Sequence, residues 1–269
     1  MTAREIQRLK DARAAMTDAR LAGAAAVLSV APAALEVYGA GWDAETGSLS
    51  FPLYDGRRAP KGNVVAFGIR LIGLDGTDAG MAGGVPGLLV PDDYEQRTNL
   101  LDDGAAALLD VPDRRATVYV VPGGAAECAA LRSLGLLAVG RCPAGLAAAG
   151  QMVRRLLVGE ADAPKRAAVH VVAVAGPATD EPPLYPRGDG VAVYPALEST
   201  LAVCDALEPL QPEPVASLAF LVTPGPLLDW CRGRGEGAVS HDVTEGWLAA
   251  ARRRLETKKA AGRRPPETD

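Results

Sequence analysis

The chain has 269 residues, 48% of them hydrophobic and 23% charged, with a formal net charge of −5 and an isoelectric point near 5.2. It is long enough to bury a substantial core as one large domain or two small ones. The acidic balance argues against a globally basic nucleic-acid binder, although local basic patches remain compatible with it. The four cysteines, Cys128, Cys142, Cys204 and Cys231, are scattered without C-x-x-C spacing. They read as small buried residues of a reducing compartment, not as a disulfide or zinc framework. His170 and His241 are the only histidines, so a histidine-based metal site is not expected. His170 falls within an apolar run, as a satisfied core histidine would, and His241 falls in a polar turn.

The amino-terminal stretch MTAREIQRLKDARAAMTDAR is charged throughout and lacks the apolar region of a signal peptide. The apolar segment that follows, Leu21 to Leu35, is interrupted by Pro32 and is too short to span a bilayer. A soluble cytoplasmic protein with no membrane contact is therefore expected. Ile6, Leu9, Ala12, Met16 and Ala19 recur at helical spacing and predict one amphipathic helix over residues 4–28. A short helix should follow Ala31, with Pro32 in its first turn.

From Gly41 to Pro91 the pattern changes to short alternating runs, Leu49 to Leu53, Val64 to Leu74 and Leu88 to Val90. Asp55-Gly56 and Asp75-Gly76 punctuate them, which predicts antiparallel hairpins in a small curved sheet. The glycine-rich stretch Gly80 to Gly87 reads as a hairpin loop, because it lacks the strand-to-helix setting of a dinucleotide site. Asp92 to Asp103 reads as a polar connector and residues 104–110 as an alanine-rich helix.

Thr117 to Gly145 then spells a buried strand (Val118 to Val121), a Pro-Gly-Gly turn, an alanine-rich helix to about Leu134, a stop at Gly135 and a second strand from Leu136 to Val139. Such units build parallel sheets, whose ligands collect at the turns after the strands' carboxyl ends. Further helices are expected at Leu146 to Val158, at Ala196 to Leu207 and around Trp230, with strands at Ala167 to Ala175 and Val215 to Val222. Asp242 and Glu245 suggest a capping box for a last helix reaching Lys259. The fold class is α/β: a small antiparallel sheet subdomain followed by a mostly parallel sheet covered by helices. The expected divisions are a helical lead at 1–40, the antiparallel subdomain at 41–95, the parallel-sheet domain at 96–240 and a terminal helix with a basic tail at 241–269.

A phosphate loop of the G-x-x-x-x-G-K-[ST] type, a G-x-S-x-G elbow and an H-E-x-x-H pair are all missing from the sequence. What remains is a series of short segments in a particular order: GWDAETGSLSFPLYDG, then VVAFGIRLIGLDGT, then GVPGLLVP. This series resembles the amino-terminal part of the catalytic core of bacterial, plasmid and phage primases. In that family a Gly-Trp-Asp lead, a strand ending in Phe-Pro, a G-I-R-L-R strand, a D-G-S-K turn and a G-L-F-x-P segment follow in the same order. The second half is similar to the TOPRIM fold of primases and topoisomerases. Leu134 to Arg141 matches its G-x-x-A-V-G-R strand, and Val222 to Ala238 resembles its later K-D-x-x-x-W-L segment.

The resemblance implies a Mg²⁺-dependent nucleotidyl-transfer site, and the residues depart from it at the ligand positions. Gly123 stands where the family has its glutamate, Gly124 is the glycine that follows, and Glu127 falls where the family has a helix aspartate. Ala175, Gly176, Pro177 and Ala178 stand where a second acidic cluster is expected, and the first acids arrive at Asp180 and Glu181. Glycine and alanine supply none of the hard oxygens that a two-metal site requires. The cations are thinned as well: Arg70 is kept, but Ile72 replaces a second arginine and Asp78 lies near the expected lysine.

The resemblance thus implies a retained scaffold with no cofactor, Mg²⁺ being expected only if the protein is active. Gly123 and Gly176 are then relic catalytic positions, and the partners would be single-stranded DNA or a replication protein such as a helicase. Arg70, Arg141 and the tail residues Arg253, Arg254, Lys258 and Lys259 are the nucleic-acid-binding candidates. One alternative is an active enzyme with relocated carboxylates, Glu127, Asp180 and Glu181, joined by Asp205 or Asp229. Another is a structural or assembly protein without nucleic-acid binding. The sequence gives no reading of oligomeric state.

Overall fold

The structure, a computed structural model, describes residues 1–55, 66–94, 117–121, 124–141, 146–158, 169–175, 203–211, 215–223, 227–233, 239–242, 249 and 252–253. It is an α/β fold with two sheets. The chain opens with helices α1 (Ala3–Ala15), α2 (Asp18–Leu28) and α3 (Pro32–Glu36). The single helix expected over residues 4–28 is therefore two. Met16 is extended, and the side chain of Thr17 accepts from the N–H of Arg20 at 3.3 Å to start a new helix, with Asp18 in its first turn.

The first sheet is antiparallel, in the order β1 (Gly41–Asp43), β2 (Ser48–Leu53), β3 (Gly68–Ile72), β4 (Asp78–Gly84). Asp75-Gly76 forms the expected turn between β3 and β4, with Gly76 at a φ of 87°. The stretch read as a glycine-rich loop is instead largely edge strand β4, paired with β3 through two register shifts. Glycine weakens a strand but does not forbid one, and it often marks such irregularities.

β5 (Leu88–Leu89) leaves this sheet, pairing antiparallel with the far edge of the second, while Tyr54 at the end of β2 exchanges both backbone hydrogen bonds with Leu88, at 2.8 and 2.6 Å. One short segment thus ties the two sheets together.

The second sheet runs β10-β9-β8-β6-β7-β5. β6 (Thr117–Val121), β7 (Leu137–Arg141), β8 (Val169–Ala175) and β9 (Val215–Val222) are mutually parallel, and β10 (Val239–Asp242) and β5 close the edges antiparallel. β10 places His241 opposite Phe220 in a strand pair, not in the turn expected from sequence. Asp242 ends that strand, and Glu245, its expected partner in a capping box, lies outside the described residues. α4 (Ala125–Ser133) connects β6 to β7, and α5 (Leu146–Val158) precedes β8. Residues 203–207 are helical and run into a 3-10 turn at Glu208–Leu210; α6 (Leu227–Arg232) follows β9. Of the other expected elements, the helix at 104–110 lies outside the described residues.

The parallel strands are buried on both faces, which is why they read as continuous apolar runs. Val118 and Val120 face a core shared with Leu137, Val139, Val171, Leu156 of α5 and Leu207. Tyr119 and Val121 face a second core built from α2, α3, α4, α6 and the inner residues Leu49, Phe51 and Leu53 of β2. Buried Tyr38 donates from its hydroxyl to the carbonyl of Ala138 on β7, at 2.8 Å, across 100 residues of sequence.

The outer face of the antiparallel sheet is covered by α1, and the Gly-Trp-Asp segment makes the joint. A Cβ on Gly41 would sit 2.9 Å from the Ala12 carbonyl carbon and 2.8 Å from Ser50 Oγ, so only glycine lets the helix lie this close. The Trp42 ring takes the Arg20 guanidinium of α2 at 5.5 Å. Asp43, 3% exposed, accepts from Arg8 of α1 at 3.1 and 2.6 Å and from the Thr46 hydroxyl at 2.6 Å. Burial pushes the Asp43 carboxyl up, but the hydrogen bonds and charge of Arg8, with Thr46, outweigh it and hold the group below the usual carboxylate range.

Asp43→Asn is expected to cost about 3 kcal/mol by leaving Arg8 without its buried partner, and Gly41→Ala about 1–3 kcal/mol by overpacking, both measured by urea unfolding at pH 7. Since the folded pKa lies below the unfolded one, the Asp43 contribution is present above about pH 4 and fades as pH falls through the folded value. The stability gap between wild type and Asp43→Asn should therefore narrow below that pH.

Candidate functional site

In the second sheet the chain leaves β6 toward β7 on one side, and β8 is followed by β9 on the other. Where neighbouring parallel strands send their chains in opposite directions, a crevice opens at their carboxyl ends, and this is where open α/β sheets bind ligands. The turn singled out from the sequence therefore lies at the topological switch point. The positions expected from the sequence to be relics, Gly123 and Gly176, follow β6 and β8 in the chain and lie outside the described residues, as do Asp180 and Glu181.

Glu127 is described, in the first turn of α4. Its Oε2 accepts from the backbone N–H of Gly124 at 2.9 Å, the reciprocal half of a capping box whose other half glycine has no side chain to make. The carboxylate thus caps its own helix, where it also suits the helix dipole. Buried Cys231 of α6 registers it: burial, and next the charge of Glu127, push that thiol up to about 12.

The antiparallel sheet flanks this turn. A Cβ on Gly124 would come 3.7 Å from Ile72 Cδ1, and one on Gly76 would come 3.8 Å from Cβ of Ala126. The β3–β4 hairpin therefore sits against the start of α4. Arg70 lies two residues before Ile72, on the same face of β3. Its guanidinium, largely buried, is ion-paired with Asp78 on β4. The sequence signal for this partner was available: across the hairpin Ile72 opposes Asp78, which makes Asp78 the diagonal neighbour of Arg70. Reading Asp78 only as a missing lysine overlooked what a carboxylate does to the cation beside it.

The remaining candidates are dispersed. Arg141 ends β7, whose Gly140 is in register with Val121, so its backbone lies at the same sheet edge as the turn. Asp229 pairs with Arg232 within α6 at 3.1 Å. Asp205 accepts from Arg252 Nε at 3.1 Å, and Glu208 shares that guanidinium at 3.2 Å. Val203, Cys204 and Leu207 beside Asp205 pack into the core on the opposite face of the sheet from α4. Asp205 and Glu127 are thus separated by the sheet, and a relocated centre containing both is not formed. Arg253 lies in an exposed helical turn next to the Arg252 clamp, whereas Arg254, Lys258 and Lys259 lie outside the described residues. Among the described residues no three His, Cys, Asp or Glu side chains are grouped to hold a metal ion, and no helix is long and apolar enough to cross a membrane.

His170 is the one histidine with a described side-chain partner, its Nδ1 lying 2.6 Å from the Ser217 hydroxyl on β9. The hydrogen bond expected of a core histidine is present, but His170 is only part-buried, at the amino end of the parallel strands and away from the switch point.

No protein-family model and no curated protein sequence matches the chain. Among solved structures it is similar to the RNA polymerase domain of the Mycobacterium tuberculosis primase DnaG, with 16% sequence identity and a TM-score of 0.42 over 94% of this chain and 82% of that one. The α/β assignment rests on the strand order and not on this overlap.

Removing the acceptor with Glu127→Ala is expected to weaken the cap of α4, at a cost of about 1 kcal/mol. It should also let the Cys231 thiol titrate at lower pH, since a neighbouring negative charge would be gone. Thiol labelling followed against pH in the folded protein checks both the direction and the link between the two residues.

Proposed function

We propose that this chain is a primase-like TOPRIM protein that has lost phosphoryl transfer and serves as a nucleic-acid- or partner-binding accessory protein in the replication of phage, plasmid or mobile DNA. The observation that carries the reading is the state of Glu127. It is the carboxylate described at the switch-point turn, and it is committed to the backbone of its own helix. The residues at the expected ligand positions, Gly123 and Gly176, bring no oxygen-bearing side chain. The order of short segments shared with primases supports the family likeness, and the loss of carboxylates at ligand positions supports the loss of catalysis.

Binding in this reading falls to cations. Arg70 beside the switch-point turn, Arg141 at the end of β7, and the tail residues Arg253, Arg254, Lys258 and Lys259 would meet the phosphates of single-stranded DNA. A replication protein such as a helicase is the protein partner consistent with this role. Mg²⁺ enters only if catalysis survives.

Incubation with single-stranded template, NTPs and Mg²⁺ or Mn²⁺ should yield no primers; primers that disappear on Glu127→Gln would overturn the loss of catalysis. In fluorescence anisotropy with labelled single-stranded DNA, affinity should fall steeply with salt. Arg70→Ala should reduce the salt slope by about 1, while Asp78→Ala, which releases the Arg70 guanidinium, should tighten binding at low salt. Salt-independent or absent binding would favour an assembly role without nucleic acid.

A further inference from the structure

We draw no further inference here: the strongest candidate, the exposed small-residue face of α2 formed by Ala19, Ala22, Gly23, Ala26 and Val27, is an unpartnered apolar face and nothing in the structure shows what covers it.

Discussion

The constraint on which the fold depends is that β6 is apolar on both sides. Val120 and Val121 are successive residues, point to opposite faces and are 1% and 0% exposed. Neither face can be left to water, because each buried valine contributes about 1.5–3 kcal/mol relative to an exposed one. One face is closed by α5 and the helical segment at 203–210, close to β8 and β9 in the chain. The other needs more than α4 and α6, and the remainder comes from the far amino terminus: α2, α3 and the inner row of β2. The lead helices are therefore part of the lid of the parallel sheet. The Tyr38 hydroxyl fixes their position by hydrogen bonding to a carbonyl of β7, which satisfies a buried polar group at a point where water has no access.

The same requirement explains the Gly-Trp-Asp segment without invoking chemistry. With β2 buried along its whole length, its outer row of Ser48, Ser50 and Pro52 also needs a cover, and α1 provides it. Glycine allows the backbone approach, tryptophan gives the Arg20 cation of α2 an aromatic face, and aspartate holds Arg8 in a two-pronged ion pair. Each residue of the motif thus has a packing role that would persist whether or not the protein catalyses anything. Glu5 adds a second tie: the N–H groups of Thr2 and then Gly84 hold its carboxyl below its usual range, joining α1 to the end of β4.

Several arginines are engaged in ion pairs. Arg8, Arg70, Arg132, Arg232 and Arg252 all have carboxylate partners. Pairs as exposed as Arg232 with Asp229 contribute little to stability. They bear on the proposed binding role as well, because a cation already paired with a carboxylate draws a phosphate less strongly. Arg70 shows this most directly, since Asp78 holds its largely buried guanidinium in an ion pair. The clamp of Arg252 on Asp205 and Glu208 works differently: it fixes the root of the basic tail on the face of the sheet away from α4.

The sequence by itself determined the kind of each main element. Period-two alternation gave β2, unbroken apolar runs gave β6, β8 and β9, and Gly135 marked the end of α4, because these signals are local. It also located the turn after β6, since a strand, a glycine turn and a helix in succession imply a parallel crossover. Where it failed, a weak local signal yielded to a stronger neighbouring one or to pairing at a distance. Thr17 split the first helix by capping, and β4 and β10 formed because a partner strand offered hydrogen bonds to residues of poor strand propensity. Leu88 and Leu89 looked like part of the small sheet until tertiary pairing with β7 made them the link between both. The use made of Glu127, the neutralisation of Arg70 by Asp78, and the separation of Asp205 from Glu127 were decided only in three dimensions, because a side chain's chemistry depends on what the fold sets beside it.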